Sequence, residues 1–287
     1  MIFLFAWIVL SFVNALKEIF IKHSLKTVDS KLLIGIVSLF SSILMLPFII
    51  REWLPDFSLK FFLAFLFWGI LYFIWKYFYF QSLKYWEISF ISPLKWLVVV
   101  NVIFTSWLLL WEVPSIIWSF WIFFVVFWIY LLSIQKWHVK FLDPLKHLLT
   151  DKWSRFYLIT AVAYWFTVTI DKIWVLETSP FFWWFCMNMF LFFVTLPHLI
   201  KNKKKSKELI IWSYKVLSGL IILHTSIYVW QMYIIQNILA SYTSAFKASS
   251  ALFAIIIWWL FFKEKDLKKK FLSWIIIVIW IFLIILS

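Results

Sequence analysis

Apolar runs of about twenty residues follow one another along almost the whole of this 287-residue chain. A bilayer core of roughly 30 Å takes about 20 apolar residues per helix. The chain is therefore expected to be one all-α integral membrane protein without a separate soluble domain. Ten spans are predicted, at 2–21, 32–50, 61–80, 88–110, 116–134, 156–175, 181–200, 211–235, 242–262 and 272–286. Breaks are expected at Pro55, Pro114, Pro144 and Pro180, because proline cannot continue a helix from within. A polar connector, 135–154, separates two halves of five spans, 1–134 and 155–287. The first stretch, MIFLFAWIVLSFVNAL, lacks a basic leader and a small-residue cleavage site, and is read as an uncleaved span.

The halves repeat. Residues 89–132 fall on 241–284 without a gap at an offset of 152. Ser89, Ser92, Lys95, Trp107, Glu112, Trp128 and Ile129 land on Ser241, Ser244, Lys247, Trp259, Glu264, Trp280 and Ile281. A weaker match at an offset of 150 sets IFIK, ending at Lys22, against TIDK, ending at Lys172. Long-period self-similarity of this kind in an apolar chain predicts two inverted repeats about a pseudo-two-fold axis, an arrangement typical of secondary transporters.

Charge supplies an orientation. Connectors after odd spans hold nineteen Lys and Arg residues, among them Lys22, Lys26, Lys31, Lys84, Arg155, Lys201, Lys203, Lys204, Lys205 and Lys207; connectors after even spans hold only Arg51 and Lys60. The positive-inside rule then puts the odd connectors in the cytoplasm and both termini outside. The net charge of +14 belongs to these connectors. It is explained by anionic lipid on the cytoplasmic face, and no nucleic-acid module is visible. The lone Cys186 allows no internal disulfide, and the five histidines lack metal-ligand spacing.

One count is abnormal: 23 Trp against 3 Gly. Membrane helices ordinarily use glycine for close packing and keep tryptophan at the interfaces. Trp96, Trp107, Trp128, Trp258, Trp259, Trp274 and Trp280 stand where close packing would want glycine. The expectation is that many of these codons are UGA, decoded as glycine in the source.

The stretch SPLK through LLLWEVPS to FFVVFWIYLL, with its copy ending WWLFFKEK and SWIIIVIWIFLI, resembles the drug/metabolite transporter superfamily, in particular its paired EamA-type half-domains. The resemblance implies a small residue before Glu112, where this chain has Trp111, and a central cavity lined by spans 4 and 9. It also implies cytoplasmic termini, opposite to the charge count, so the orientation stays open.

Ionisable groups at membrane depth cost roughly 2.5–3.5 kcal/mol on insertion scales, so each one needs a reason. Lys95 and Lys247 occupy equivalent positions, each with a serine three residues earlier, Ser92 and Ser244, on one helical face. With Lys76 they form the predicted substrate-binding set; the alternative for the two repeated lysines is snorkelling to the interface. Glu18 and Lys22 lie i,i+4 on span 1, beside Asn14 and Lys17, and Asp171 and Lys172 close span 6. These four are candidates for gating or proton coupling, or else ion pairs near the interface. Asn101, Asn188, His224, Gln231 and Gln236 read as interhelical hydrogen bonds, Glu112 and Glu264 as helix-end structure, and the Phe, Tyr and Ile stripes as lipid-facing or packing surface. Ser-x-x-Lys also occurs in penicillin-recognising enzymes, but their partner motifs are missing. No Walker loop, dinucleotide fingerprint or zinc motif is present.

The expectation is thus a multi-pass inner-membrane carrier, not an enzyme and without a cofactor, moving a small organic anion or amino-acid-like solute by alternating access. A proton or a counter-substrate would be the coupling partner. The rival is a membrane scaffold or membrane enzyme without transport.

Overall fold

The computed structural model describes residues 2–51, 59–85, 96–117, 119–120, 123–124, 127, 152–212, 214–244, 250, 253 and 257. These residues are all-helical, with no strand among them. The helices are α1 (Ile2–Leu25), α2 (Ser30–Ile49), α3 (Leu59–Tyr85), α4 (Trp96–Leu110), α5 (Lys152–Glu177), α6 (Pro180–Lys201), α7 (Lys203–Trp212) and α8 (Tyr214–Asn237). Among the described residues five helices are long and apolar enough to cross a membrane: Ser30–Ile49, Phe61–Tyr85, Arg155–Glu177, Pro180–Lys201 and Tyr214–Asn237. Where no water reaches the backbone, every N–H and C=O must be satisfied internally. Even α4, rich in β-branched Val98, Val99, Val102, Ile103 and Thr105, is therefore helical.

The span predicted at 211–235 matches α8 to within a few residues, and the KKKSK run before it, too charged to enter a hydrocarbon core, belongs to the separate short helix α7. Pro47 and Pro197 lie inside α2 and α6, each near the C-terminal end of its helix, and each lacks the N–H that would bond the carbonyl four residues earlier.

α2 and α6 pack antiparallel along their length. Gly35 near the start of α2 meets Thr195 and Leu199 near the end of α6, and Phe48 stacks on Phe181 at 4.9 Å at the other end. A Cβ on Gly35 would stand 2.5 Å from Thr195 Oγ1, so only glycine permits this approach. α2 begins on the Asp29 cap, which accepts from Lys31 N, and α6 on Ser179, which accepts from Phe182 N with Pro180 in the first turn. These paired features recur at one spacing of 150 residues: Asp29 and Ser179, Pro47 and Pro197, Gly69 and Gly219.

The other contacts follow the same exchange. α3 packs on α5 and α8 on α1; α2 touches α8 and α6 touches α3; α1 meets α3 and α5 meets α8. Swapping α1 with α5, α2 with α6 and α3 with α8 carries each of these pairings onto another. α4 lies against α5, through Thr105 to Thr169 at 3.0 Å. In the counterpart, α1 meets Ser250 and Phe253, through Asn14 at 3.1 Å and Phe12 at 6.0 Å between ring centroids.

Side-chain pairs also sort the connectors. His198 at the end of α6 reaches Asp29 at 3.2 Å, and Lys31 lies over the Tyr77 ring near the end of α3. The end of α1, the end of α6 and the later turns of α3 thus lie towards one face, which also carries Lys201, Lys203, Lys204, Lys205 and Lys207, all exposed; it is called the basic face below. The ends of α4, α5 and α8 meet on the opposite face, where Ser115 N donates to the Tyr242 hydroxyl at 3.2 Å.

α4 ends at Trp111, the one described non-glycine residue with a positive φ, at 55°. Its N–H bonds Trp107 O at 3.1 Å and Glu112 N bonds Ser106 O at 3.2 Å, which satisfies two carbonyls at the helix end. This is the left-handed stop that helices make with glycine. The Trp111 indole gains nothing there, being 80% exposed.

Candidate functional site: a central cavity and its latch

Two polar stripes at helical spacing face each other across the middle of the molecule. On α1, Asn14, Lys17 and Glu18 lie at i, i+3 and i+4; on α5, Tyr157, Thr160 and Tyr164 lie at i, i+3 and i+7. With Trp75 and Tyr79 of α3, Val98 of α4, Tyr228 of α8 and Ser244 they line a cavity of about 60 Å³. At roughly 15 Å³ for each water-sized probe, that is room for a few waters.

The α1 residues are buried, each less than 5% exposed. Lys17 Nζ sits 4.5 Å above the Tyr228 ring, a cation–π contact away from bulk water. Asn14 Nδ2 donates to Glu18 Oε1 at 3.4 Å and to Ser250 Oγ at 3.1 Å, which leaves Asn14 Oδ1 buried without a hydrogen-bond partner. The Tyr79 hydroxyl faces the Glu18 carboxylate. One cationic and one anionic side chain thus stand on one helical face, opposed by aromatic rings.

The predicted site residues separate into three groups. Glu18 and Ser244 line the cavity, the Ser244 hydroxyl being turned onto Ser241 O at 2.8 Å. Lys76 does not line it; it is 1% exposed, with Nζ 3.3 Å from His224 Nε2 and 6.0 Å from the Tyr72 ring centroid. Lys22 is half-buried one turn beyond Glu18 on α1. Lys95, Lys247 and Ser92 lie outside the described residues.

Asp171 and Lys172 serve different ends. Asp171 accepts the indole N–H of Trp68 at 3.1 Å and of Trp183 at 2.9 Å, so it ties α3 and α6 to α5. Lys172 forms an ion pair with Glu112 and donates to Ile238 O at 2.6 Å, while Glu112 Oε2 accepts from Ala240 N at 2.9 Å. The ends of α4, α5 and α8 are thereby latched together on the face opposite the basic one. The left-handed turn at residue 111 is what swings Glu112 inward to make the latch.

Sequence reasoning missed two things here. Tyr157, Tyr164 and Tyr228 were expected to face lipid or pack, yet they form cavity wall; the signal was their spacing with Thr160, which makes a hydroxyl stripe. Glu112 was read as helix-end structure, and its partner Lys172 lies 60 residues away, a distance that no local pattern encodes. Among the described residues no group of three His, Cys, Asp or Glu side chains gathers to hold a metal. No family model matches the chain, and neither does any curated protein.

Proposed function

We propose that this protein is a secondary transporter of a small amino-acid-like solute, working by alternating access between two five-helix halves. The observation that carries the reading is the buried cavity itself. Lys17, Glu18 and Asn14 stand in it at membrane depth, where ionisable side chains are expensive and mark solute pathways. A zwitterion suits them: its carboxylate to Lys17, its ammonium to Glu18 and the free Asn14 Oδ1, its apolar part to Trp75, Tyr79 and Tyr228.

The reciprocal helix pairings and the shared spacing of caps and prolines support the two-repeat architecture of ten spans, and with it the likeness to paired EamA-type halves. Inverted repeats alternate by exchanging conformations about a fixed site. The latch of Glu112 and Lys172 then closes one entrance. The cavity sits towards the other, its α5 lining coming from that helix's first half. The gathering of lysine on one face supports a cytoplasmic orientation for it in a bacterial inner membrane.

A thermal-shift screen of purified protein against amino acids and organic acids tests this, since a ligand that favours the folded state raises its apparent stability. An amino acid should raise the unfolding midpoint of wild type, but not of Lys17→Met or Glu18→Gln. A response preserved in both variants would refute the site. Absence of any response together with equal solute flux in empty and loaded vesicles would favour a scaffold.

A further inference from the structure

We propose that a cleft on the basic face binds a phospholipid headgroup that carries both a phosphate and a primary ammonium, as phosphoethanolamine does. The cleft measures about 610 Å³, within the range of small-ligand pockets and far larger than the central cavity. It lies between the turn after α1, the end of α6 and one side of α7, and its charged and amide side chains are Asp29, His198, Asn202, Lys205 and Glu208. Lys205, Glu208 and Leu209 stand at i, i+3 and i+4, so α7 presents one side to it.

Its level in a bilayer follows from its neighbours. α2 begins and α6 ends at the cleft, and both are long and apolar enough to cross a membrane. α7 follows α6 directly, and its opening lysines keep it out of hydrocarbon. The cleft therefore opens among the lipid headgroups. Val28, Leu32 and Leu209, all buried, give it an apolar wall for the glycerol end of a lipid. Next to Leu209, Ile210 and Ile211 stand exposed towards the acyl region.

The charges select the headgroup. Lys205 belongs to the opening turn of α7, which holds three lysines and no acid, so an anion there is favoured by the helix dipole as well. Asp29 meets Lys31 N at 2.8 Å and His198 Nε2 at 3.2 Å through Oδ1 alone, which leaves Oδ2 unbonded among the described residues. Lys205 and Glu208 make no ion pair among the described residues. A phosphate suits Lys205, and the N–H donors of a primary ammonium suit Glu208 and Asp29 Oδ2. A trimethylammonium head offers no such donor and is recognised by aromatic rings; no Phe, Tyr or Trp is among the described residues that line the cleft. A purely anionic head would bring its charge towards two carboxylates.

The test is hydrogen exchange of the full-length protein in nanodiscs of phosphatidylcholine, alone or partly replaced by phosphatidylethanolamine or phosphatidylglycerol. The first two membranes carry the same net charge, so their surface pH is the same. Amides of 202–209 should exchange about threefold or more slowly with phosphatidylethanolamine than with phosphatidylcholine alone, since a bound ligand suppresses local opening. Glu208→Gln and Lys205→Met should each abolish that difference; both side chains are exposed, so folding tolerates their loss. Equal rates in the two membranes, or the same slowing in either variant, overturn the site. Slowing by phosphatidylglycerol that matches that by phosphatidylethanolamine and survives Glu208→Gln overturns the headgroup in favour of a general anionic patch. Protection by soluble glycerophosphoethanolamine where the lipid gives none overturns the lipid as its source. The cleft is separate from the central cavity, so none of these outcomes bears on the transport reading.

The end of α4 independently carries a second inference: we infer that residue 111 is glycine in the protein as its source makes it. Its φ of 55°, the two backbone bonds that close the helix there and a residue left 80% exposed describe a position for a residue without a side chain. Trp68 and Trp183, whose indoles bond Asp171, give no such sign. Peptide mass spectrometry of the protein isolated from its source should find glycine at 111. Tryptophan in that peptide overturns it.

Discussion

Asp171 shows how a single buried carboxylate is held between helices. Its carboxylate is less than a tenth exposed and takes two indole donors from two other helices. Asp171→Ala would leave both indole N–H groups buried and unpaired, at roughly 1–3 kcal/mol each. An unfolding titration in detergent should therefore lose about 2–4 kcal/mol, and Asp171→Asn, which keeps an acceptor oxygen, clearly less. At Glu112 the same reasoning predicts function as well as stability. Glu112→Gln can still accept from Ala240 N but no longer pairs its charge with Lys172, whose ammonium would stay bonded to Ile238 O alone. The latch face should then open more readily, read as faster hydrogen exchange at the amides of 238–242 than in wild type.

At the scale of helices, the close contact of α2 with α6 depends on Gly35. Gly35→Ala puts a methyl 2.5 Å from Thr195 Oγ1 and 2.8 Å from Leu199, so a helix must shift, at about 1–3 kcal/mol. Thr195→Ala in the same chain should recover part of it. Gly219 on α8 has nothing within 4 Å of its would-be Cβ, and Gly219→Ala should be neutral or stabilise by about 0.5–1 kcal/mol. Thermal unfolding of the three variants checks the contrast. Helices were the most legible part of the sequence, because length and hydropathy alone call for them. Their partners were not, since packing between two apolar surfaces leaves no periodic mark. Gly35 and Thr195 meet across 160 residues and neither announces the other. The stripe of Asn14, Lys17 and Glu18 was visible as charge on one face of span 1, but that it turns to a cavity depends on α5 and α8 lying opposite.

Across the whole molecule, residues of α1, α3, α4, α5 and α8 line one small cavity, and the ion pair of Glu112 and Lys172 lies on the face away from the lysines. The sequence repeat at 152 predicts equivalent ends for spans 4 and 9, the second of which lies outside the described residues; the end of α4 is tied to Lys172, 60 residues further along the chain. The substrate lysines expected from that repeat, Lys95 and Lys247, lie outside the described residues. The Lys17 and Glu18 pair now carries the binding argument in their place. A cavity of about 60 Å³ is too small for most solutes, so loading has to part the helices. The direct measurement is labelling of Ser244→Cys, in a Cys186→Ser background, with a membrane-impermeant maleimide applied from either side of oriented vesicles. With the latch intact the thiol should react from the basic face alone, and adding Glu112→Gln should make it reactive from the opposite face too. A thiol that resists the reagent from both sides in both proteins, or that reacts from the latch side whether or not Glu112 is present, would contradict a central cavity gated by that ion pair.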